Sequence, residues 1–191
     1  GPTRDRAHDH LLRGQSNDIY WHGLFGGIYL ADLRLATIGQ LIAAEDAVDG
    51  ATGSMDRAVL ADLDLDGRDE VLLSNDGQVV TVNLDDGAGI ADWDLRAARY
   101  ALTSVLRRRP EAYHDAIRQQ ADGDGQADPS EAHMVDSIDG TARFKEAGLA
   151  DHLRYDDHER RSGLVRFLPV GATSADFGGG ELPDLGSALG A

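Results

Sequence analysis

The chain contains no cysteine, which excludes disulfides, thiolate metal sites and a cysteine nucleophile. Basic residues are scarce, 18 against 34 acidic ones, for a formal net charge of −16. So acidic a chain repels phosphate backbones and anionic bilayers, and neither nucleic acid nor a membrane is expected as a partner. A neutral ligand such as a sugar meets no such repulsion. No apolar run approaches the ~18 residues of a membrane-crossing helix, and no secretory leader opens the sequence, so the expected location is cytoplasmic. Patterned sequence starts almost directly after Gly1-Pro2-Thr3, and the true start of the protein is expected upstream. Hydrophobic residues make up 41% of the 191 positions, enough for the core of one large domain or two small ones.

Residues 7–50 read as helix, loop, helix. His8 to Arg13 forms a short helical end with Gly14 as its stop. Leu30, Leu33, Ile38, Leu41 and Ile42 then fall on one helical face, with Glu45, Asp46 and Asp49 beyond it. Gly50-Ala-Thr-Gly53 breaks this pattern and marks a domain boundary. From Val59 the period changes to two: Val59, Ala61, Leu63 and Leu65 alternate with Leu60, Asp62, Asp64 and Asp66, predicting a half-buried strand with one acidic face. Val71 to Ser74 is a second strand, and Asp76-Gly77 turns it into a third, Gln78 to Leu84. Asp85 to Gly89 turns again into Ile90 to Leu95. Four strands in meander order and no βαβ alternation predict an antiparallel sheet. Arg96 to Arg109 and Glu111 to Gln120 read as helices split at Pro110. Gly171 to Ala191 is expected to be poorly structured unless partner strands follow. The fold class is α+β.

One segment is unlike the rest. Gln15 to Leu30 packs Tyr20, Trp21, Phe25, Tyr29, His22, the Asn17-Asp18 pair and the glycines Gly23, Gly26 and Gly27 into a chain only 6% aromatic. Sugars are bound by such sets: an indole or phenol face covers the apolar face of a pyranose while carboxylate, amide and imidazole groups fix its hydroxyls. The glycines let backbone turn sharply and present Trp21 and His22 on a rigid shelf. The plainer alternative makes Trp21 and Phe25 core residues and His22 a satisfied core histidine.

The run Asn17-Asp-Ile-Tyr-Trp-His-Gly-Leu-Phe-Gly-Gly27 resembles a segment of glycoside hydrolase family 57, which holds 4-α-glucanotransferases and α-amylases. The likeness continues at Asp62-Leu-Asp-Leu-Asp-Gly-Arg-Asp-Glu-Val-Leu-Leu-Ser-Asn75 and at Arg107-Arg-Arg-Pro-Glu-Ala-Tyr-His114. It resumes at Ser137-Ile-Asp139, Lys145-Glu-Ala-Gly-Leu149 and Arg160-Arg-Ser162, and ends near Glu181-Leu-Pro-Asp184. Departures at Ile19, Ala31-Asp32 and Asp139-Gly140 bear on fine specificity. The resemblance implies residues 1–53 as the end of a central helical domain. Residues 54–191 would be the first part of a C-terminal antiparallel β-sandwich of galactose-mutarotase-like type with a helical insertion. It further implies an α-1,4-glucan or maltooligosaccharide as ligand, with Trp21 stacking on a glucose ring and His22 and Asp18 bonding hydroxyls beside Asn17 and Tyr20. The family's two catalytic carboxylates lie in an N-terminal barrel that this chain does not match, so no catalytic residue is assigned and the barrel is the expected partner. Hydrolase and transferase share a glycosyl-enzyme intermediate and are not separated here.

Other constellations are weaker. Asp62, Asp64, Asp66 and Gly67 fit the first half of a calcium loop, but the twelfth position of an EF-hand is Leu73 where a carboxylate is required. A one-sided acidic strand ending in a turn is favoured, and no metal or other cofactor is expected. Asp122, Asp124 and Asp128 form a second, poorer acidic cage, read as a solvated loop. Tyr113-His114 reads as a packed aromatic-imidazole pair, and Arg107-Arg108-Arg109 as a run paired with local carboxylates. Against the enzyme-part reading stand a stand-alone carbohydrate-binding module and a calcium-stabilised structural module.

Overall fold

The computed structural model describes residues 1–22, 26–85, 87–122, 148–156, 158–179 and 186–187. The chain divides into two compact units, one of Gly1–Leu106, Arg160–Val170 and Pro183–Ala191, the other of Arg107–Glu159 and Gly171–Leu182. Among the described residues no helix is long and apolar enough to cross a membrane.

The first unit opens with helix α1, Pro2–Gly14, which begins well before the expected His8 because Pro2 is tolerated in a first helical turn. The 22-residue helix α2, Ala31–Thr52, packs against α1. Of the predicted apolar face only Ile42 is fully buried. Leu30 and Leu33 are exposed, and the small residues Ala43, Ala44 and Ala47 fill the buried positions. Small side chains let α1 and the sheet approach this helix closely. Gly53, at φ +71°, closes α2 in the left-handed conformation, and Ser54 N–H donates to the Asp49 carbonyl at 3.0 Å.

An antiparallel sheet follows in meander order β1-β2-β3-β4-β5: β1 Arg57–Ala61, β2 Glu70–Ser74, β3 Gln78–Asn83, β4 Gly89–Leu95 and β5 Tyr100–Ala101. The meander and its Asp76-Gly77 hairpin are as expected; two details are not. The first strand stops at Ala61 instead of running on to Asp66. There the Asp62 carboxylate accepts the N–H groups of Asp66 and Gly67, both at 3.1 Å, and Leu65 takes φ +64°. Side-chain acceptors have captured backbone donors that a strand ladder would need. The predicted helix over Arg96–Arg109 is replaced by a turn and β5. Arg99 adopts φ +50°, Leu102 N–H donates to the Trp93 carbonyl at 2.7 Å, and Thr103 Oγ1 accepts Trp93 N–H at 2.9 Å. Cross-strand bonding to β4 outcompetes local helix propensity. A short pair, β6 Arg166–Phe167 with β7 Gly186–Ser187, belongs to the same unit.

Strand register sorts the sheet into two faces. Ala58, Leu73, Val80 and Trp93 form one cross-strand row and Leu60, Val71, Val82 and Ile90 another. That face is apolar apart from Gln78, whose side-chain oxygen accepts the Trp93 indole N–H at 2.9 Å, and its Leu60 and Leu73 are 60% and 45% exposed. The other face carries Arg57, Ser74, Val79 and Asp94 toward α2. Arg96, just after β4, places its guanidinium 2.6 Å from Asp49 of α2, with side chains only 2% and 4% exposed. Arg57 of β1 bonds Glu45 at 2.7 Å and reaches Asp49 at 3.2 Å.

The second unit contains α3, Ala112–Asp122, near the predicted Glu111–Gln120, and a 3₁₀ turn at Leu149–His152. It also holds α4, Ser174–Gly179, in the tail expected to lack structure. Thr173 and Asp176 exchange side chain-to-backbone bonds at 2.9 and 3.2 Å, a capping pair that stabilises this short helix.

Two carboxylates near the α2 seam are expected to respond oppositely to removal. Asp49→Ala removes the nearest and best-buried partner of the Arg96 guanidinium, leaving only Asp46 at 3.6 Å as a counter-charge, and should cost about 3–5 kcal/mol of unfolding free energy. Burial, reinforced by Asp92 and Glu45 and opposed by Arg96, pushes the Asp94 carboxyl up to about 7 from an ordinary 3.8. The folded state then holds this proton where the unfolded chain has lost it, so stability falls as pH rises through that window and stays lowered above it. Asp94→Asn should therefore raise the melting temperature by several degrees at pH 8, with the gain vanishing near pH 4. Denaturant curves for the first variant and a pH series of melting curves for the second check both.

Candidate functional site: an exposed aromatic shelf

The shelf begins where α1 ends. Tyr20 folds back so that its hydroxyl donates to the Gly14 carbonyl at 2.5 Å. Asn17–Ile19 makes one 3₁₀ turn in which Ile19 is buried while Asn17 and Asp18 stay exposed. That turn delivers Trp21 and His22 to the surface. Trp21 is 43% exposed, which is not the environment of a core tryptophan, and His22 is exposed beside it. Their ring centroids are 5.2 Å apart with planes tilted by 56°. All five predicted site residues, Asn17, Asp18, Tyr20, Trp21 and His22, therefore share one exposed stretch. Gly23, Leu24 and Phe25 lie outside the described residues.

The far side of the shelf is a second 3₁₀ turn, Gly27–Tyr29. Ile28 N–H donates to the Trp21 carbonyl at 2.9 Å, closing the loop on itself. Gly27 adopts φ +46°, and a Cβ there would overlap the Trp21 carbonyl oxygen and sit 2.7 Å from that of Asp18. Only glycine fits under the backbone that carries Trp21. Chemically the shelf offers a partly exposed indole, an imidazole and a carboxylate on a backbone tied at both ends.

The acidic loop is rearranged relative to expectation. Ligand-capable oxygens of Asp62, Asp64 and Glu70 lie within 4.8 Å of one another, so Glu70 takes the place predicted for Asp66. Asp66 instead accepts Arg68 N–H at 2.9 Å. Buried Glu70 accepts Leu63 N–H at 2.8 Å and the Asn83 amide at 3.4 Å. The predicted acidic strand is thus a loop closed by its own peptide N–H groups. Of the second acidic set, Asp124 and Asp128 lie outside the described residues.

In the other unit His114 is buried. Its Nδ1 accepts Glu111 N–H at 3.1 Å and lies 3.0 Å from the Tyr155 hydroxyl. Tyr113 meets the imidazole edge-on at 4.4 Å. Burial, with the nearby Arg118 cation, lowers the His114 pKa against the opposing pull of Glu111 and Asp115. This is a packed pair, as the sequence suggested. Arg107 pairs with Glu159 at 3.1 Å, Arg108 with Asp156 at 2.7 Å and Arg109 with Glu111 at 3.7 Å.

Residues 2–48 match the middle domain of the family described as alpha-amylase/4-alpha-glucanotransferase, and residues 62–189 match its C-terminal domain. The chain belongs to that family, glycoside hydrolase family 57. Alpha-amylase 1 of Dictyoglomus thermophilum is 36% identical over 84% of the chain and 22% of its own length. The 4-alpha-glucanotransferase of Thermococcus kodakarensis is 31% identical over 96% of the chain and 26% of its own length. The crystal structure of 4-alpha-glucanotransferase from Thermococcus litoralis superposes with a TM-score of 0.72 at 26% identity, covering 95% of this chain and 25% of that one. The chain thus spans about a quarter of the length of these relatives. Within the family match the shelf lies in the middle-domain portion and the acidic loop opens the C-terminal portion.

Arg34 escaped the sequence reading. It sits in the second turn of α2 and bonds both Ile28 of the shelf and Ser104 beyond β5. No spacing rule separates such an arginine from a solvated one.

Gly27→Ala is expected to combine left-handed strain with overlap of the Trp21 backbone and to cost about 1–3 kcal/mol more than a compatible substitution. Gly53→Ala, at φ +71° with open space around it, carries the strain alone and serves as the control. Comparing the two unfolding free energies isolates the close approach under Trp21.

Proposed function

We propose that this chain is the non-catalytic part of an α-glucan-processing enzyme, an α-amylase or 4-α-glucanotransferase, and that the Trp21–His22 shelf is its contribution to substrate binding. One observation carries this reading: Trp21, in the family's middle-domain segment, is held on a hydrogen-bonded turn and is 43% exposed instead of lying in a core. A glucose ring of an α-1,4-glucan or maltooligosaccharide stacks on Trp21, with His22 and Asp18 bonding its hydroxyls and Asn17 and Tyr20 holding the turn. The catalytic carboxylates come from a barrel elsewhere in the same polypeptide. By this reading residues 1–53 close a central helical domain and residues 54–191 open a β-sandwich of galactose-mutarotase-like type. The apolar rows Ala58-Leu73-Val80-Trp93 and Leu60-Val71-Val82-Ile90 support that fold, because a sheet face of this composition calls for a second layer.

The test is Trp21→Ala in the enzyme that carries this chain. Loss of one stacking face should weaken transition-state binding by roughly 1–3 kcal/mol, about one to two decades in kcat/KM. The melting temperature should stay close to that of the parent. Lost stability with unchanged specific activity in the folded fraction would make Trp21 a structural residue and remove the shelf from the site.

A further inference from the structure

We propose that Arg34 is the positioning residue of the shelf, fixing through Ile28 the pose in which Trp21 meets a sugar ring, and that Ser104 holds Arg34 in place. The inference rests on reading the shelf as a sugar platform, but its geometry stands apart from that reading. Arg34 Nη1 donates to the Ile28 carbonyl. On its other edge Nε donates to Ser104 Oγ at 2.9 Å and Nη2 to the Ser104 carbonyl at 3.1 Å. A planar guanidinium bonded along two edges cannot rotate, so it fixes the Ile28 peptide. The N–H of the same residue, in the preceding peptide unit, donates to the Trp21 carbonyl at 2.9 Å. One arginine is therefore linked through a single residue, Ile28, to the backbone that aims the indole.

Ser104 is itself placed by the sheet. The residues just before it bond β4, Leu102 N–H to the Trp93 carbonyl at 2.7 Å and Trp93 N–H to Thr103 Oγ1 at 2.9 Å. The path Trp93, Thr103, Ser104, Arg34, Ile28, Trp21 runs through hydrogen bonds and chain-adjacent residues only. It joins the sheet to a loop in the helical part of the chain. A lysine at position 34 presents one compact charge with rotatable donors and cannot engage Ile28 and both Ser104 atoms in the same fixed geometry.

Two readouts test this. In a Trp93→Phe background Trp21 is the single tryptophan, since the chain has two. Arg34→Lys is then expected to increase acrylamide quenching of Trp21 and lower its anisotropy, with the far-UV spectrum unchanged. Ser104→Ala, which leaves the arginine in place, should shift both in the same direction by less, and it stands in if Arg34→Lys does not fold. Unchanged quenching and anisotropy in folded variants would overturn the proposal. In the enzyme carrying this chain, Arg34→Lys should lower kcat/KM on maltooligosaccharides about tenfold, within the range for misplacing a binding group. The double variant with Trp21→Ala should be no worse than Trp21→Ala alone, because both act through one contact. Additive losses would show that Arg34 acts elsewhere. If Trp21→Ala leaves kcat/KM unchanged, the sugar platform itself fails, an outcome separate from the fluorescence result.

Discussion

The structure of the first unit depends on an ion pair taken almost wholly out of water. Arg96 and Asp49, at 2.6 Å, join the end of β4 to the last turns of α2. Two such charges apart would each carry a desolvation penalty of several kcal/mol, so each holds the other in place. The pair seats α2 on the polar face of the sheet, with Arg57 reaching Glu45 and Asp49 from the opposite end of the same face. Helix α1 packs on α2, and the shelf spans the gap between these helices. The aromatic ledge is thus referenced to the sheet by charge at one end of α2 and by the Arg34 clamp near its start.

This arrangement explains how an exposed tryptophan can still be well positioned. Trp21 is 43% exposed, and its backbone is fixed by the bond from Ile28 and by Gly27, which passes close beneath its carbonyl. A ligand platform benefits from this division, with the ring left accessible and the conformational freedom removed from the peptide that carries it. The neighbouring family members are named for amylase and glucanotransferase activities, and under the proposed function the platform would serve a sugar ring in either chemistry.

Much of this was legible in the residues. The glycine break after α2, the Asp76-Gly77 hairpin and the meander follow from local turn chemistry and period. The aromatic segment stood out by composition alone. The misreadings share a cause, competition from partners distant in sequence or from side chains that mimic backbone. Arg96–Arg109 has good helix formers, yet β4 offers Leu102 and Thr103 a ladder that local propensity cannot register. Asp62 and Asp64 alternate like strand residues, yet their carboxylates take the very N–H groups a strand would spend on its neighbour. Arg34 was invisible because its meaning depends on Ser104, which comes into reach only once α2 lies against the sheet.

The partly exposed apolar face of the sheet has a colloidal consequence. Among the described residues strand β1 lies at the sheet edge, beside the exposed Leu60 and Leu73, a combination that favours strand-to-strand association. Mutual repulsion from a formal net charge of −16 opposes that association. That repulsion reaches about 30 Å at 0.01 M salt but only about 8 Å at physiological ionic strength. A chain balanced this way disperses best in dilute buffer and associates as salt is added. Its behaviour in solution is governed less by how tightly it is folded than by how far its charges can be felt.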